Sequence, residues 1–82
     1  MASRDKSTTR QLVAFGKAVR EAREDLGLSQ EELGFESELD RTYISGIERG
    51  VRNPTIATVG RLCRALGVRG SELMARAEEL GA

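Results

Sequence analysis

The sequence predicts an all-α protein of five helices. Apolar residues recur three and four positions apart in successive segments, which places them on one face of a helix. Gly27, Gly50, Gly67 and the single proline, Pro54, separate these segments. No segment alternates apolar and polar residues as a strand does, so we expect no sheet. We expect the polar, charged residues 1–7 to be disordered and residues 8–82 to form one small domain.

Helix 1 is predicted to begin near Thr8 or Thr9, because either side chain can accept a hydrogen bond from the first turn. Gly27 ends it, since glycine readily takes the left-handed conformation found after many helices. Its apolar face consists of Leu12, Phe15, Val19, Ala22 and Leu26.

Helix 2 is predicted to begin at Ser29, because a serine followed three residues later by Glu32 forms a capping box. Its inward-facing residues are Leu33 and either Phe35 or Ser37. Leu39 then fills the turn that leads to the next helix.

Helix 3 has two chemically different faces. Asp40 caps it and Gly50 ends it, and Ile44 and Ile47, three residues apart, share the inward face. The outward face carries hydrogen-bonding side chains, namely Arg41, Thr42, Tyr43 and Ser45. Two short helices joined by a tight turn, the second bearing a polar face, are the pattern of a helix-turn-helix.

Helices 4 and 5 are predicted after the loop of residues 51–54, because Pro54 prevents a continuous helix. Thr55 caps helix 4, and Ser71 caps helix 5. The apolar stripe of helix 4 is Ile56, Val59, Leu62, Cys63 and Leu66, with Cys63 expected in the core. The stripe of helix 5 is Leu73, Met74, Ala77 and Leu80.

The net charge is zero, but the charges are unevenly distributed along the chain. Residues 1–20 sum to +4, residues 21–40 to −7, residues 41–69 to +5 and residues 70–82 to −2. The basic block coincides with helix 3, so a neutral protein can present a basic stripe to phosphates. The alternative is ordinary solvated charge on a helical surface.

The composition argues against several functional classes. Histidine is absent and Cys63 is the only cysteine, so we expect no metal site, no cofactor, no catalysis and no small-molecule ligand. No apolar run approaches the roughly 20 residues of a membrane span, and residues 1–6 lack a secretory signal. These features predict a cytoplasmic protein.

Four stretches, in order and at matching spacing, resemble the phage-repressor (Cro/C1, XRE) helix-turn-helix family. They are LSQEEL at 28–33, YISGIERG at 43–50, RNPT at 52–55 and the segment 62–68. The resemblance covers about residues 10–75 and implies a lambda-repressor-like DNA-binding domain. Within the family, residues 40–49 are most similar to the controller proteins of restriction–modification systems, which are small dimeric regulators of operator DNA.

The resemblance implies base contacts from the start of helix 3. Arg41 can bond the O6 and N7 atoms of guanine together, and the methyl group of Thr42 can touch that of thymine. Ser45 is placed for bases as well as for the backbone, and Arg52 can enter a groove and read a base.

The resemblance also implies DNA backbone contacts from Gln30, Tyr43, Arg49 and Asn53. Each of the first three has a simpler reading. Tyr43 can pack on the domain surface, Gln30 can be only a helix N-terminal residue, and Arg49 can complement the helix dipole.

Three further positions are notable within the resemblance. The family pattern implies a structural ion pair between Arg23 and Glu48 that ties helix 1 to helix 3. Glu38 stands where a glycine or asparagine is usual in the turn, and a positive φ there costs about 1–2 kcal/mol. Gly34 replaces the usual alanine, at a cost of roughly 1 kcal/mol in helix propensity unless closer packing compensates.

We therefore expect a DNA-binding transcription regulator that acts as a homodimer on inverted repeats, because one short helix reads only a few base pairs. The expected dimer interface, left uncovered on helix 5, consists of Val68, Leu73, Met74 and Leu80. Met74 can alternatively lie in the core. The alternatives are an antitoxin or phage-type repressor, and a protein-interaction adaptor with the same fold.

The acidic residues on and after helix 2 form a last candidate surface. Glu31 and Glu32 complement the helix dipole, and exposed carboxylates aid solubility. The resemblance also implies that an acidic patch here can contact RNA polymerase, and Glu36 and Glu38 are the expected contacts.

Overall fold

A computed structural model describes residues 6–82, which form five helices and no strand. This confirms the all-α prediction, and no helix in this range is long and apolar enough to cross a membrane. The helices are α1 (Lys6–Asp25), α2 (Gln30–Ser37), α3 (Arg41–Glu48), α4 (Ile56–Leu66) and α5 (Gly70–Glu79).

The start of α1 differs from the prediction. We predicted that residues 1–7 are disordered. Residues 1–5 lie outside the described residues, and Lys6 and Ser7 belong to α1. The helix therefore begins two residues before Thr8, the earlier of the two expected caps.

The caps of α2, α3 and α4 are the predicted ones. Ser29 Oγ accepts from the Glu32 N–H at 3.0 Å while Glu32 Oε1 accepts from the Ser29 N–H at 2.8 Å, which completes the capping box. Asp40 and Thr55 each accept a backbone N–H of the helix they precede.

The predicted cap of α5 was wrong. The helix begins at Gly70, with Arg69 at the N-cap position instead of Ser71. The reason is that Glu72 lies three residues after Arg69, and its carboxylate accepts from the Arg69 N–H at 2.7 Å. This bond satisfies a helix-end donor and places the N-cap two residues before Ser71.

The core lies where all five helices meet. The largest fully buried side chains are Val19, Leu33, Ile44, Ile47, Leu62 and Leu73. Helix α1 packs against α3, α4 and α5, and α2 packs against α3 and α4. Cys63 is buried in this core, and its burial raises the pKa of the thiol.

Three large residues of the predicted apolar faces, namely Leu26, Phe35 and Ile56, lie on the surface instead, and Leu26 is 53% exposed because α1 ends one residue before it. Phe35 is 82% exposed, and Ser37 takes the inward position, where its hydroxyl donates to the Leu33 carbonyl at 2.6 Å. Ser37 shares a face with Leu33 because the two are four residues apart, whereas Phe35 lies about 200° around the helix. Ile56 is 87% exposed because it is the first residue of α4, ahead of the buried stripe.

The predicted dimer face of helix 5 was wrong for Leu73. This side chain is 1% exposed, because the 20-residue α1 is long enough to cover α5. Val68 and Leu80 are half-buried against the same core, while Met74 is 48% exposed.

The turn between α2 and α3 depends on Gly34 and contains one strained residue. A Cβ atom at position 34 would lie 2.7 Å from the Leu39 carbonyl oxygen, so glycine permits the turn to fold closely onto α2. Glu38 has a φ of 59°, which is the left-handed conformation. Glycine or asparagine, which adopt this conformation more readily, is usual at this position of the family pattern. In residues 6–82 Glu38 is the one non-glycine residue with positive φ.

We predict that Gly34→Ala destabilises the protein although alanine is the better helix former. The added methyl would press on a backbone carbonyl, and such overpacking costs about 1–3 kcal/mol, more than the roughly 1 kcal/mol gained in propensity. The control is Gly60→Ala in α4, where the nearest atom is the flexible Arg64 Nη1 at 3.7 Å. Urea unfolding should show a loss for the first variant and a gain for the second; a gain for both would contradict the close packing.

Candidate nucleic-acid interface

A shallow hollow on the surface is formed where the first turns of α2 and α3 meet. It is lined by Gln30, Arg41, Thr42 and Ser45. Gln30 is the first residue of α2, and Arg41 and Thr42 open α3, so two helix starts bring residues eleven positions apart to one place. The structure thus groups three predicted base contacts with one predicted backbone contact.

The lining of the hollow offers mainly hydrogen-bond donors. Arg41 and Thr42 are exposed, and Ser45 is half-buried. A guanidinium only donates, whereas hydroxyl groups donate and accept. This combination suits base edges and phosphate oxygens alike.

Arg52 lies against α3, next to Gly46 and over the ring of Tyr43. Its Cζ atom is 5.8 Å from the centroid of the Tyr43 ring, a cation–π distance. Gly46 makes this path possible, because a Cβ atom there would lie 2.6 Å from Arg52 Cγ. Both side chains are predicted DNA contacts, but their pairing was not predicted; Gly46 inside α3 was the available signal.

The other two predicted backbone contacts lie in different places. Arg49 follows α3 as its C-cap, and its Nε donates to Ser45 Oγ at 3.4 Å, so it lies next to the hollow. Asn53 does not line the hollow. It lines a separate, mainly apolar groove, together with Gln11, Leu12, Phe15, Pro54, Val59, Met74, Glu78 and Ala82.

The predicted partners Arg23 and Glu48 contact each other beneath the hollow. Arg23 Nε donates to Glu48 Oε2 at 2.7 Å and Nη2 donates to Oε1 at 3.0 Å, with side chains 11% and 3% exposed. These hydrogen bonds, together with the negative charge of Glu48, raise the pKa of Arg23 against the opposing effect of burial. Because the pair is bidentate, both charges are compensated within the protein interior.

Gln30 connects the ion pair to the protein surface through a hydrogen bond to Glu48 that was not predicted from the sequence. Its Nε2 donates to Glu48 Oε1 at 3.0 Å. A second link runs from Arg23 Nη1 to the Leu28 carbonyl at 2.8 Å, just before α2. The end of α1, the start of α2 and the end of α3 are therefore joined through two charged side chains.

The electrostatics of the surface follow from this neutralisation. Glu48 is the only acidic residue of the basic block 41–69, and its charge is compensated by Arg23. Arg41 lines the hollow, Arg49 contacts Ser45 beside it, and Arg52 lies over Tyr43. These exposed cations therefore have no competing anion from their own block. Such a surface favours a polyanion.

The chain is similar to known helix-turn-helix proteins. A helix-turn-helix family model matches residues 19–73 of the chain. The control protein C.BamHI of Bacillus amyloliquefaciens is 46% identical over 61 residues, which cover 73% of this chain and 75% of that protein.

Two solved structures resemble this one. The restriction-modification controller protein C.AhdI from Aeromonas hydrophila has a TM-score of 0.75 and 48% identity, covering 76% of this chain and 94% of its own. The controller protein C.Esp1396I, solved as a tetramer in complex with its natural 35 base-pair operator, has a TM-score of 0.78 and 34% identity. That match covers 85% of this chain and 92% of the other.

Proposed function

Because the chain belongs to the helix-turn-helix family, we propose that it is a sequence-specific DNA-binding transcription regulator with α3 as its reading helix. The observation that carries this proposal is the hollow at the starts of α2 and α3, where Gln30, Arg41, Thr42 and Ser45 converge beside exposed arginines. A helix N-terminus in the major groove presents such side chains to base edges.

The geometry supports a division of labour among the side chains. Arg41, Thr42 and Ser45 read bases, and Arg52, held against Tyr43, reads a base beside them. Backbone contacts come from Gln30, Tyr43 and Arg49, since phosphates fix register without carrying sequence. Asn53 stays a predicted backbone contact that its place in the apolar groove does not support.

We further propose that the regulator is a homodimer on inverted-repeat operators. Two copies related by a twofold axis would place their reading helices about 34 Å apart, one turn of DNA. Met74 lines the apolar groove with Pro54 and Val59, and the highly exposed Ile56 lies between these two in sequence. This surface replaces Leu73 in the proposed interface, and Val68 and Leu80, which are half-buried against the core, stay in it.

The similarity to C.BamHI and C.AhdI supports the subgroup of restriction–modification controller proteins. The genes that flank this one decide the point. Methyltransferase and endonuclease genes would support a controller, whereas a toxin gene would indicate an antitoxin.

We predict that Arg41→Ala weakens binding to the preferred site by about 1–3 kcal/mol and relaxes base preference at one position per half-site. Arg10→Ala, which removes an exposed arginine of α1 outside the hollow, is the charge-matched control and should keep the preference. Selection from random-sequence DNA followed by titration measures both. Unchanged preference in Arg41→Ala would show that α3 does not read bases through this residue.

We predict that Ile56→Glu and Met74→Glu shift the protein toward monomer and lower operator affinity, because a carboxylate is costly to bury at an interface. Phe35→Glu is the control, since it places the same charge at another exposed apolar position, on α2. Sedimentation at micromolar concentration gives the result. A wild type that is monomeric with and without DNA would rule out the twofold arrangement.

We also propose that the regulator activates transcription through RNA polymerase, with Glu36 and Glu38 as the contacts. Both are exposed, whereas Glu32 is engaged in the capping box.

Glu36→Lys and Glu38→Lys should lower activation in vitro while operator binding holds or strengthens, because a negative charge near phosphate is removed. Glu79→Lys, at the end of α5, is the control. Equal activation by all proteins at saturating occupancy would leave these carboxylates as solvated surface.

A further inference from the structure

We infer that Glu48 is a positioning residue for DNA binding, because it holds the Gln30 amide in one orientation at the edge of the hollow. This inference rests on the proposed function. The buried ion pair would then have two roles: it packs α1 against α3, and it orients a side chain on the surface proposed to bind DNA.

The chemistry of the three side chains permits one arrangement. Glu48 Oε1 accepts from Arg23 Nη2 and from Gln30 Nε2, both at 3.0 Å. An ionised carboxylate only accepts, so the amide must direct its NH2 group inward. Turning the amide over would place its carbonyl oxygen against the carboxylate and lose a charge-assisted hydrogen bond.

The remaining polar atoms of Gln30 are thereby presented to the hollow. One N–H of Nε2 and the carbonyl oxygen are left outside the ion-pair network, next to Arg41, Thr42 and Ser45. A long side chain that is already ordered loses less conformational entropy when DNA binds. The orientation is therefore set before DNA arrives.

Glu48 is buried, so it can act on the surface only through the Gln30 side chain that donates to it. The Glu48 side chain is 3% exposed, and the bidentate contact with Arg23 neutralises its charge. Its carboxylate can therefore orient an amide near DNA without repelling a phosphate directly. The bond from Arg23 to the Leu28 carbonyl holds the backbone that leads into Gln30.

A double-mutant cycle on DNA affinity tests the inference. The probe is the duplex that wild-type protein enriches from random-sequence DNA, and the proteins are wild type, Gln30→Ala, Glu48→Gln and the double variant. Each affinity is calculated from the concentration of folded protein, which circular dichroism gives for each variant. Arg49→Ala in both backgrounds is the control, because Arg49 contacts Ser45 and has no hydrogen bond to Glu48.

We expect Gln30→Ala to weaken binding about 10-fold in the wild type and less than about 3-fold in the Glu48→Gln background. A neutral glutamine at position 48 lacks the charge that strengthens the bond from Gln30 and can also donate to the Gln30 carbonyl oxygen, so the amide orientation is no longer imposed. Arg49→Ala should have the same effect in both backgrounds. An equal Gln30→Ala factor in both, or no loss in the wild type, would overturn the inference and leave the proposed function intact. A wild type that enriches no duplex would overturn the proposed function itself.

A measurement on the unmodified protein covers the case in which Glu48→Gln does not fold. In nitrogen-15 NMR spectra of the free protein, the Gln30 side-chain amide should be shifted and slow to exchange, unlike that of the exposed Gln11. Adding the enriched duplex should shift the Gln30 signal further. Gln30 and Gln11 amides that behave alike in the free protein would refute the orientation.

Discussion

The buried pair of Arg23 and Glu48 is the interaction on which the arrangement of the proposed DNA-reading surface depends. Arg23 lies in the last turn of α1, and Glu48 is the last residue of α3. Breaking such a pair leaves one uncompensated charge in the interior, at a cost of about 3–5 kcal/mol. For a domain of 82 residues this is a large fraction of its total stability. The packing of α1 against α3 therefore depends on both partners, because removing either one leaves the other charge buried and unpaired.

The proposed reading face is built from close approaches that small residues permit. Arg52 reaches Tyr43 because Gly46 leaves the surface of α3 open. Gly34 allows the turn to lie against α2, which sets where Arg41 begins the next helix. In both cases a residue that weakens helix propensity shortens the distance between functional side chains.

Glu38 combines backbone strain with an exposed carboxylate. Its left-handed conformation costs about 1–2 kcal/mol relative to an ordinary helical or extended residue. Glycine would remove this cost but would also remove the charge. The turn between α2 and α3 therefore combines a stored backbone strain with an exposed negative charge.

The sequence by itself determined the five helices, three of their caps, the inward isoleucines of α3 and the family. These features follow from local chemistry, since periodicity, capping residues and helix-ending glycines act over a few positions. Only the tertiary structure decided that Leu73 is core while Ile56 is surface, because burial depends on which neighbouring helix covers a face. It likewise joined Gln30 to Glu48 and Arg52 to Tyr43. Gln30 and Glu48 are 18 positions apart, so no local pattern specifies their contact, whereas Gly46 was the one local signal for the contact of Arg52 with Tyr43.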